Sequence, residues 1–299
     1  MKDELDLHFM ATTPPLFTDK TRFHVGCSGG KDSAAALIWM RHESGIDPKQ
    51  ILSSFCDIKN DHQWTLAHVE LLSKRVHPIE TIHPRVGFFD LALERHRFPS
   101  AKARFCTEEL KIYTTQDHIQ KLKYQGFDVI AVSGVRADES AGRANKPEWD
   151  YSGTLLCYQW RPLIRWTIDD VKAIHAKYGI PLNPLYDIGA QRVGCWPCIM
   201  SRKEEIRTIA LKFPERIDEI RKAEREFERR YGRYSSFFAS DKIPERFRSK
   251  PHQLDDGTWI KVCTIDDVVK WSMTGNRAQG SYLDEEETEP VSCKSGFCE

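Results

Sequence analysis

The sequence predicts an α/β fold, a doubly wound and mostly parallel sheet followed by a helical C-terminal region. Three observations lead there. Short apolar runs alternate with helical stretches over the first two-thirds of the chain, the first run opens directly into a Gly-rich loop and a helix, and the most continuous helical pattern comes last. At 299 residues the chain is long enough to bury a full core. Composition divides it into residues 1–200, residues 201–283 and an acidic, cysteine-containing tail at 284–299.

Phe23 to Cys27 is the first strand, and a helix follows from Ser33 to about His42 with Ala34, Leu37, Ile38 and Met40 among its apolar positions. Gln50 to Asp57 and Val76 to His83 read as the next extended runs, around a helix at Trp64 to Lys74. Phe88 to Ser100 mixes charge and aromatics without a period. Thr107 to Leu122 reads as a helix, and Asp128 to Ser133 is a short apolar strand. The polar stretch Asn145 to Gly153, with Pro147, reads as an exposed loop. Tyr158 to Ile164 adds an extended piece. Thr167 then caps a helix to Tyr178, with Asp169 and Asp170 in its first turn, where the helix dipole favours negative charge. Lys203 to Tyr231 is helical with a break at Pro214, and the dense charge of Glu215 to Arg230 reads as a solvated face. Ligands of such sheets gather at the carboxyl ends of the strands, which sets Ser28, Asp57 and Gly134 on one rim.

Charge excludes some functions. With 44 basic and 44 acidic residues the formal charge is zero, so there is no global field of the kind that marks nucleic-acid binders. No apolar run approaches a membrane span, and the start Met-Lys-Asp-Glu-Leu-Asp has no signal-peptide pattern, so a cytoplasmic protein with no membrane association is expected. Nine cysteines in that setting read as metal ligands, redox groups or small buried hydrophobes rather than disulfides. Cys27, Cys56 and Cys263 lie in apolar runs and fit the last of these.

Ser28-Gly29-Gly30-Lys31-Asp32-Ser33 follows the first strand. Gly29 and Gly30 let the backbone turn with its N–H groups inward, and the helix that follows adds its positive end. Lys31 supplies a point charge for phosphate oxygens, Ser28 and Ser33 supply hydroxyls, and Asp32 is placed to help hold Mg²⁺. The spacing is not the Walker pattern, which needs four residues between its first Gly and the Gly-Lys pair. The second constellation is Gly194-Cys195-Trp196-Pro197-Cys198, two thiols two residues apart in a turn. Alone it fits half a zinc site, part of an iron–sulfur cluster or a redox pair. Cys106 lies where a helix should start, near Arg104, a setting that stabilises a thiolate. Arg136 and Arg143, beyond the turn at Gly134, are candidate anion clamps, with an ion pair to Asp138 or Glu139 as the plainer role for Arg143.

The loop resembles the PP-loop of the adenine nucleotide α-hydrolase-like superfamily, a Rossmann-like fold whose members typically split ATP between the α- and β-phosphates. Several further motifs follow in the order seen in the phosphoadenosine phosphosulfate (PAPS) reductase family. They are Cys106 with Leu110-Lys111, then Gly134-Val135-Arg136-Ala137-Asp138-Glu139-Ser140 with Arg143, then Trp160-Arg161-Pro162-Leu163 with Trp166 and Asp170-Val171. Pro181 to Gly189 follows, leading to Cys195 and Cys198. The resemblance covers roughly residues 20–200. It implies that Cys106, Cys195 and Cys198 ligate a [4Fe–4S] cluster, and it sets Asp57 beside the nucleotide.

Two departures from the family pattern matter. Phe105-Cys106 stands where cluster-bearing reductases have a Cys-Cys pair, which implies a three-cysteine cluster with an open iron, or a fourth ligand from Cys157, Cys293 or Cys298. A zinc site made with the two tail cysteines is the alternative. The second departure is the intact Ser-Gly-Gly-Lys-Asp-Ser, which sulfonucleotide reductases usually carry in degraded form. Among relatives with both an intact loop and cysteines, the best match in type is the ATPase of DNA phosphorothioation, the C protein of the Dnd system. The resemblance therefore implies an ATP pyrophosphatase that adenylates an acceptor for sulfur transfer, with ATP, Mg²⁺ and the cluster as cofactors. Lys31, Asp32 and Arg136 would be its catalytic residues. Its partners would be a persulfide from a cysteine desulfurase, or sulfide, as sulfur donor, with a nucleic-acid acceptor drawn from relatives and a homo-oligomer as an open assembly state. The alternatives are a PAPS or adenylyl-sulfate reductase using a thioredoxin-like reductant, and a nucleotide-binding protein with structural zinc.

Overall fold

The computed structural model describes residues 14–254 and 256–274. The expectations placed on the tail, including Cys293 and Cys298, lie outside the described residues. The chain forms two compact units. The first runs through Arg85 and resumes from Thr107 to Gly194, and the second takes Val86–Cys106 together with the stretch from Cys195. The division thus falls at Gly194 rather than at residue 200, and a segment from mid-chain joins the C-terminal unit.

The first unit is built on a six-stranded sheet. Its strands are β1 (Thr21–Gly26), β2 (Ile51–Cys56), β3 (Glu80–Ile82), β4 (Asp128–Val132), β5 (Trp149–Ser152) and β6 (Cys157–Trp160), in the order β3-β2-β1-β4-β6-β5. All neighbours are parallel except β5 and β6, which pair antiparallel with Trp149 opposite Trp160 and Ser152 opposite Cys157. The principal helices are α1 (Lys31–His42), α2 (Gln63–Arg75), α3 (Tyr113–Tyr124) and α4 (Ile168–Lys177). Strand order reverses between β1 and β4, and a crevice opens at that point above the strand ends.

Side-chain alternation on β1 explains the two faces. Phe23 and Val25 point into a core with Ala34, Leu37 and Ile38 of α1, Leu72 of α2, and Val171 and Ile174 of α4. On the other face Val129 and Ala131 of β4 pack with Ile119 of α3, Leu155 and Cys157. Helix α1 is buried on nearly all sides, which its Ala-Ala-Ala-Leu-Ile run permits and a charged helix would not. Thr167 caps α4 as expected, its hydroxyl accepting from the Asp170 N–H while the Asp170 carboxylate accepts from the Thr167 N–H.

Three expectations need correction. Asn145 to Gly153 is not all loop, because Trp149–Ser152 forms the antiparallel edge strand, held by Trp149 stacked on Trp160 at 4.9 Å between ring centroids. The helix expected from Thr107 begins instead with a helical turn at Phe105–Thr107 and a π-helical stretch, Glu108–Ile112, before α3. Helix α1 starts at Lys31, two residues before Ser33.

The second unit contains the short helix Phe88–Glu94, α5 (Lys203–Lys212), α6 (Pro214–Tyr231), a hairpin of β7 (Lys250–Gln253) and β8 (Trp259–Val262), and α7 (Ile265–Ser272). It is therefore helical with a β-hairpin. Much of the charge on α6 is solvated and pairs locally, as in Arg216 with Glu219 and Arg229 with Glu226. Glu224 breaks the pattern. It lies on the buried stripe Ile217, Ile220, Glu224, Phe227 and accepts hydrogen bonds from the Tyr234 hydroxyl, the Phe237 N–H at 3.0 Å and the Ile265 N–H at 2.9 Å. One carboxylate thus ties α6 to the following loop and to the start of α7.

Burial pushes the Glu224 carboxyl up to about 7, against the opposing pull of those three donors. A carboxyl raised in the folded state stabilises the fold below its unfolded value, and that contribution is lost as pH rises through about 7. Comparing melting temperatures of the wild type and Glu224→Gln from pH 5 to pH 8 should show the wild type losing stability relative to the variant as pH rises. A difference that is flat in pH would mean that Glu224 stays charged throughout.

Candidate nucleotide site

The residues after β1 form a closed turn. Gly29 takes φ +78°, a left-handed conformation that side chains resist, and a Cβ there would lie 2.8 Å from the Thr65 methyl. The Ser33 hydroxyl accepts from the Ser28 N–H at 3.1 Å and lies 3.0 Å from the Ser28 hydroxyl, which accepts from the Gly30 N–H at 3.3 Å. The two serines expected to face phosphate therefore also shape the turn. The loop leads straight into α1, so the positive end of that helix lies at the loop.

A strap from beyond α4 holds the loop from behind. Asn183, fully buried, donates its amide to the Gly29 carbonyl at 3.2 Å and to the Thr65 hydroxyl at 3.3 Å. The Tyr186 hydroxyl accepts from the Lys31 N–H at 3.1 Å, and the Lys31 ammonium lies 5.2 Å from the Tyr186 ring centroid. His175 Nε2 is 2.9 Å from the Lys31 carbonyl oxygen. Asn183 and Tyr186 fall inside the Pro181 to Gly189 motif, so the sequence marked the strap without disclosing what it grips.

Asp32 is fully buried. Its Oδ1 accepts from Arg136 Nε at 2.5 Å and its Oδ2 lies 2.9 Å from Lys31 Nζ. Burial opposes the charge on Arg136, yet Asp32, with Glu139 and Asp138 behind it, holds the guanidinium more firmly protonated than usual. Arg143 pairs with Glu139, whose carboxylate also accepts from the Arg136 N–H. Both arginines are thus buried in ion pairs of the chain, 4% and 5% exposed, rather than presented as anion clamps. Asp32 ties the start of α1 to the turn after β4, and its Oδ2, although near Lys31, has no hydrogen-bond partner among the described residues.

The cavity beside the loop has a volume of about 660 Å³ including its open mouth. It is lined by the strand ends Gly26 to Ser28, Ser54 to Cys56 and Val132 to Gly134, with Ser33, Asp61, Lys111 and Thr115. Of the expected site residues it gathers Ser28, Ser33 and Gly134. Asp57 turns away to Lys59, 2.7 Å from its ammonium. Burial alone would raise the Asp57 carboxyl, but the side chain and N–H of Lys59 hold it below the usual range. Asp61 and Lys111 face the cavity instead, and Lys111 is delivered by the π-helical turn. Cys56 also lines it and is half-buried. Its Sγ donates to the Leu110 carbonyl at 3.0 Å, and burial pushes the thiol up to about 11.

Cys106, Cys195 and Cys198 all belong to the second unit. No disulfide joins the described cysteines, and among the described residues no three His, Cys, Asp or Glu side chains are arranged to hold a metal ion. Cys198 Sγ faces its own turn, accepting from the Met200 N–H at 3.5 Å. Cys157, expected as a fourth ligand, is buried in the core of the first unit, and its thiol is pushed up to about 11 by desolvation. No described helix is long and apolar enough to cross a membrane.

A mostly parallel sheet, a crevice at its switch point and a phosphate-sized loop define a Rossmann-like α/β domain. Residues 22–201 match the phosphoadenosine phosphosulfate reductase domain, and the chain belongs to that family. It is 30% identical to an uncharacterized 37.8 kDa protein in the gpa 5′ region of Escherichia phage 186, over 95% of this chain and 98% of that one. An adenosine 5′-phosphosulfate reductase of Rhizobium tropici is 38% identical over 74 residues, which are 25% of this chain and 41% of the reductase. The phosphoadenylyl-sulfate reductase of Candida auris, solved as a phosphate complex, aligns with a TM-score of 0.47 at 16% identity, over 59% of this chain and 82% of that one.

Gly134 is where the crevice closes most tightly. A Cβ on it would sit 2.3 Å from the Asp32 carbonyl oxygen and 2.9 Å from the Ser33 nitrogen, both backbone atoms. Gly134→Ala should cost about 1–3 kcal/mol in urea unfolding and displace the start of α1. An unchanged midpoint would show that the two turns part without strain.

Proposed function

We propose that the chain is a PP-loop ATP pyrophosphatase that adenylates an acceptor for sulfur transfer. The observation that supports this is the phosphate loop itself, with Gly29 in its left-handed turn, both serine hydroxyls in place and the Lys31 side chain 18% exposed. A sulfonucleotide reductase cleaves no pyrophosphate and needs none of the contacts that such a loop gives to β- and γ-phosphates.

In the first step an acceptor oxygen attacks the α-phosphorus. The bond from that phosphorus to the α,β-bridging oxygen breaks, and its electron pair leaves with pyrophosphate. Lys31 and the N–H groups of the loop stabilise the charge that develops there. Mg²⁺ would arrive with the triphosphate, and Asp61 is the carboxylate that lines the cavity. Arg136 acts by fixing Asp32 and the start of α1. In the second step sulfide attacks the centre bearing the adenylated oxygen, the bond to that oxygen breaks, and AMP leaves; a persulfide would attack through its outer sulfur in the same way, and a second thiol would then cut the S–S bond, forming a disulfide with the donor cysteine and leaving one sulfur on the acceptor. A nucleic-acid acceptor, as in DNA phosphorothioation, is part of this proposal.

The second reading is a reductase that forms sulfite from adenylyl sulfate or its 3′-phosphorylated form with a thioredoxin-like reductant. The family to which residues 22–201 belong favours it.

Product analysis separates the two. The full chain, given ATP and a panel of oxyanion and nucleic-acid acceptors, should yield AMP and pyrophosphate in equal amounts. Lys31→Ala should lower that rate about 100-fold, a loss in the range for one charge-stabilising group, with an unchanged circular dichroism spectrum. Sulfite release from PAPS or adenylyl sulfate, with ATP left intact, would replace the first reading by the second.

A further inference from the structure

Gly26, the last residue of β1, pairs in register with Ser54 of β2. The register of Val25 beside Val132 carries on to set Gly26 beside Ser133. Across β2, β1 and β4 the row is therefore hydroxyl, no side chain, hydroxyl. Two strand spacings, about 9.5 Å, separate its ends. All three residues line the cavity, so the row forms a slot in its floor, open between two serines.

The two hydroxyls are not equivalent. Ser133 is 7% exposed and its Oγ has no hydrogen-bond partner among the described residues. A buried hydroxyl left in that state costs free energy unless something in the cavity bonds to it. Ser54 is 4% exposed and its Oγ lies 2.9 Å from Nε2 of His24, on the neighbouring strand β1. If Ser54 donates to the imidazole it keeps both lone pairs for the cavity. If it accepts instead, it keeps one lone pair and its own proton. In either tautomer of His24, Ser54 can accept a hydrogen bond from a ligand.

We propose that Ser54 and Ser133 are specificity-determining residues that read the edge of a 6-aminopurine seated over Gly26, with His24 as the positioning residue behind Ser54. This rests on reading the same cavity as a nucleotide site. A flat heterocycle fits a slot whose floor is bare backbone, its amino group donates to Ser54, and a ring nitrogen accepts the Ser133 proton. Burial, with His118 nearby, holds the His24 imidazole down to about 3, so it is neutral at working pH and its bond to Ser54 does not change there.

The test compares ATP with inosine triphosphate, which has an oxo group in place of the amino group and a proton on N1, by calorimetric titration of the full chain. The wild type should bind ATP about tenfold more tightly, the value of one directed hydrogen bond. Ser54→Ala should bring the ratio near one by weakening ATP and leaving inosine triphosphate within about twofold, whereas Ser54→Thr, which keeps the hydroxyl, should preserve the ratio. Ser133→Ala should weaken ATP without weakening pyrophosphate. Ser54→Ala weakening both nucleotides together, or Ser133→Ala weakening pyrophosphate as much as ATP, would mark a merely structural role and overturn the proposal, as would equal binding of the two nucleotides by the wild type. If the wild type binds neither nucleotide, the reading of the cavity falls and this proposal with it. If ATP binds but Ser54→Ala leaves the ratio unchanged, only the base-reading slot is lost.

Discussion

The buried carboxylate of Asp32 is the constraint on which the first unit depends. It sits in the first turn of α1, where a negative charge complements the helix dipole, and is fully excluded from solvent. Burial of an isolated carboxylate would be prohibitive, and Arg136 and Lys31 are what make it tolerable. Arg136 follows β4 and Lys31 follows β1, so one charge cluster joins the two strand ends between which the sheet reverses its order. The near-contact of Gly134 with the Asp32 backbone belongs to the same closure, since only a residue without a side chain lets the turns approach far enough for the ion pair to form. Arg143, through Glu139, braces the same turn.

That cluster changes what the charged residues of the site mean. Arginines on the rim of a phosphate site invite the reading of anion clamps, and sequence spacing alone supports it. Their burial and partners show that their charge is already balanced by carboxylates of the chain. The positive charge left for a ligand at the loop comes from Lys31, which shares Asp32 but stays partly exposed, and from the N–H groups at the start of α1. A neutral chain with 44 charges of each sign is consistent with this economy, in which the field that meets a ligand is local rather than global.

The phosphate loop was legible because its residues are contiguous and each has a separate physical task, and the alternation of strands and helices was legible because parallel strands buried on both faces leave long apolar runs. The cavity was not. Ser54, Ser133 and Thr115 meet there only through the register of three strands and the packing of α3, and register cannot be read from one strand at a time. The edge strand Trp149–Ser152 was hidden because four residues flanked by Pro147 and Gly153 show no period, and what holds it is a cross-strand aromatic stack. Glu224 was hidden by its own chemistry inside a run of charges, although the spacing 217, 220, 224, 227 places it on the apolar stripe of α6.

The extent of similarity differs among relatives. The family match covers residues 22–201, while the likeness to the phage protein spans 95% of the chain. The second unit draws on Val86–Cys106 and on the stretch from Cys195, so the family match takes in only part of it. Within that unit, Glu224 binds three donors from two later segments. A hydrogen-bond centre of that kind specifies one arrangement of otherwise weakly patterned chain, because every alternative packing would leave either the carboxylate or its backbone donors unpaired. Beside this centre Phe88, Phe98, Phe227 and Phe237 meet edge to face or tilted, and neither a lone carboxylate nor rings drawn from separate segments writes a hydrophobic period into the sequence.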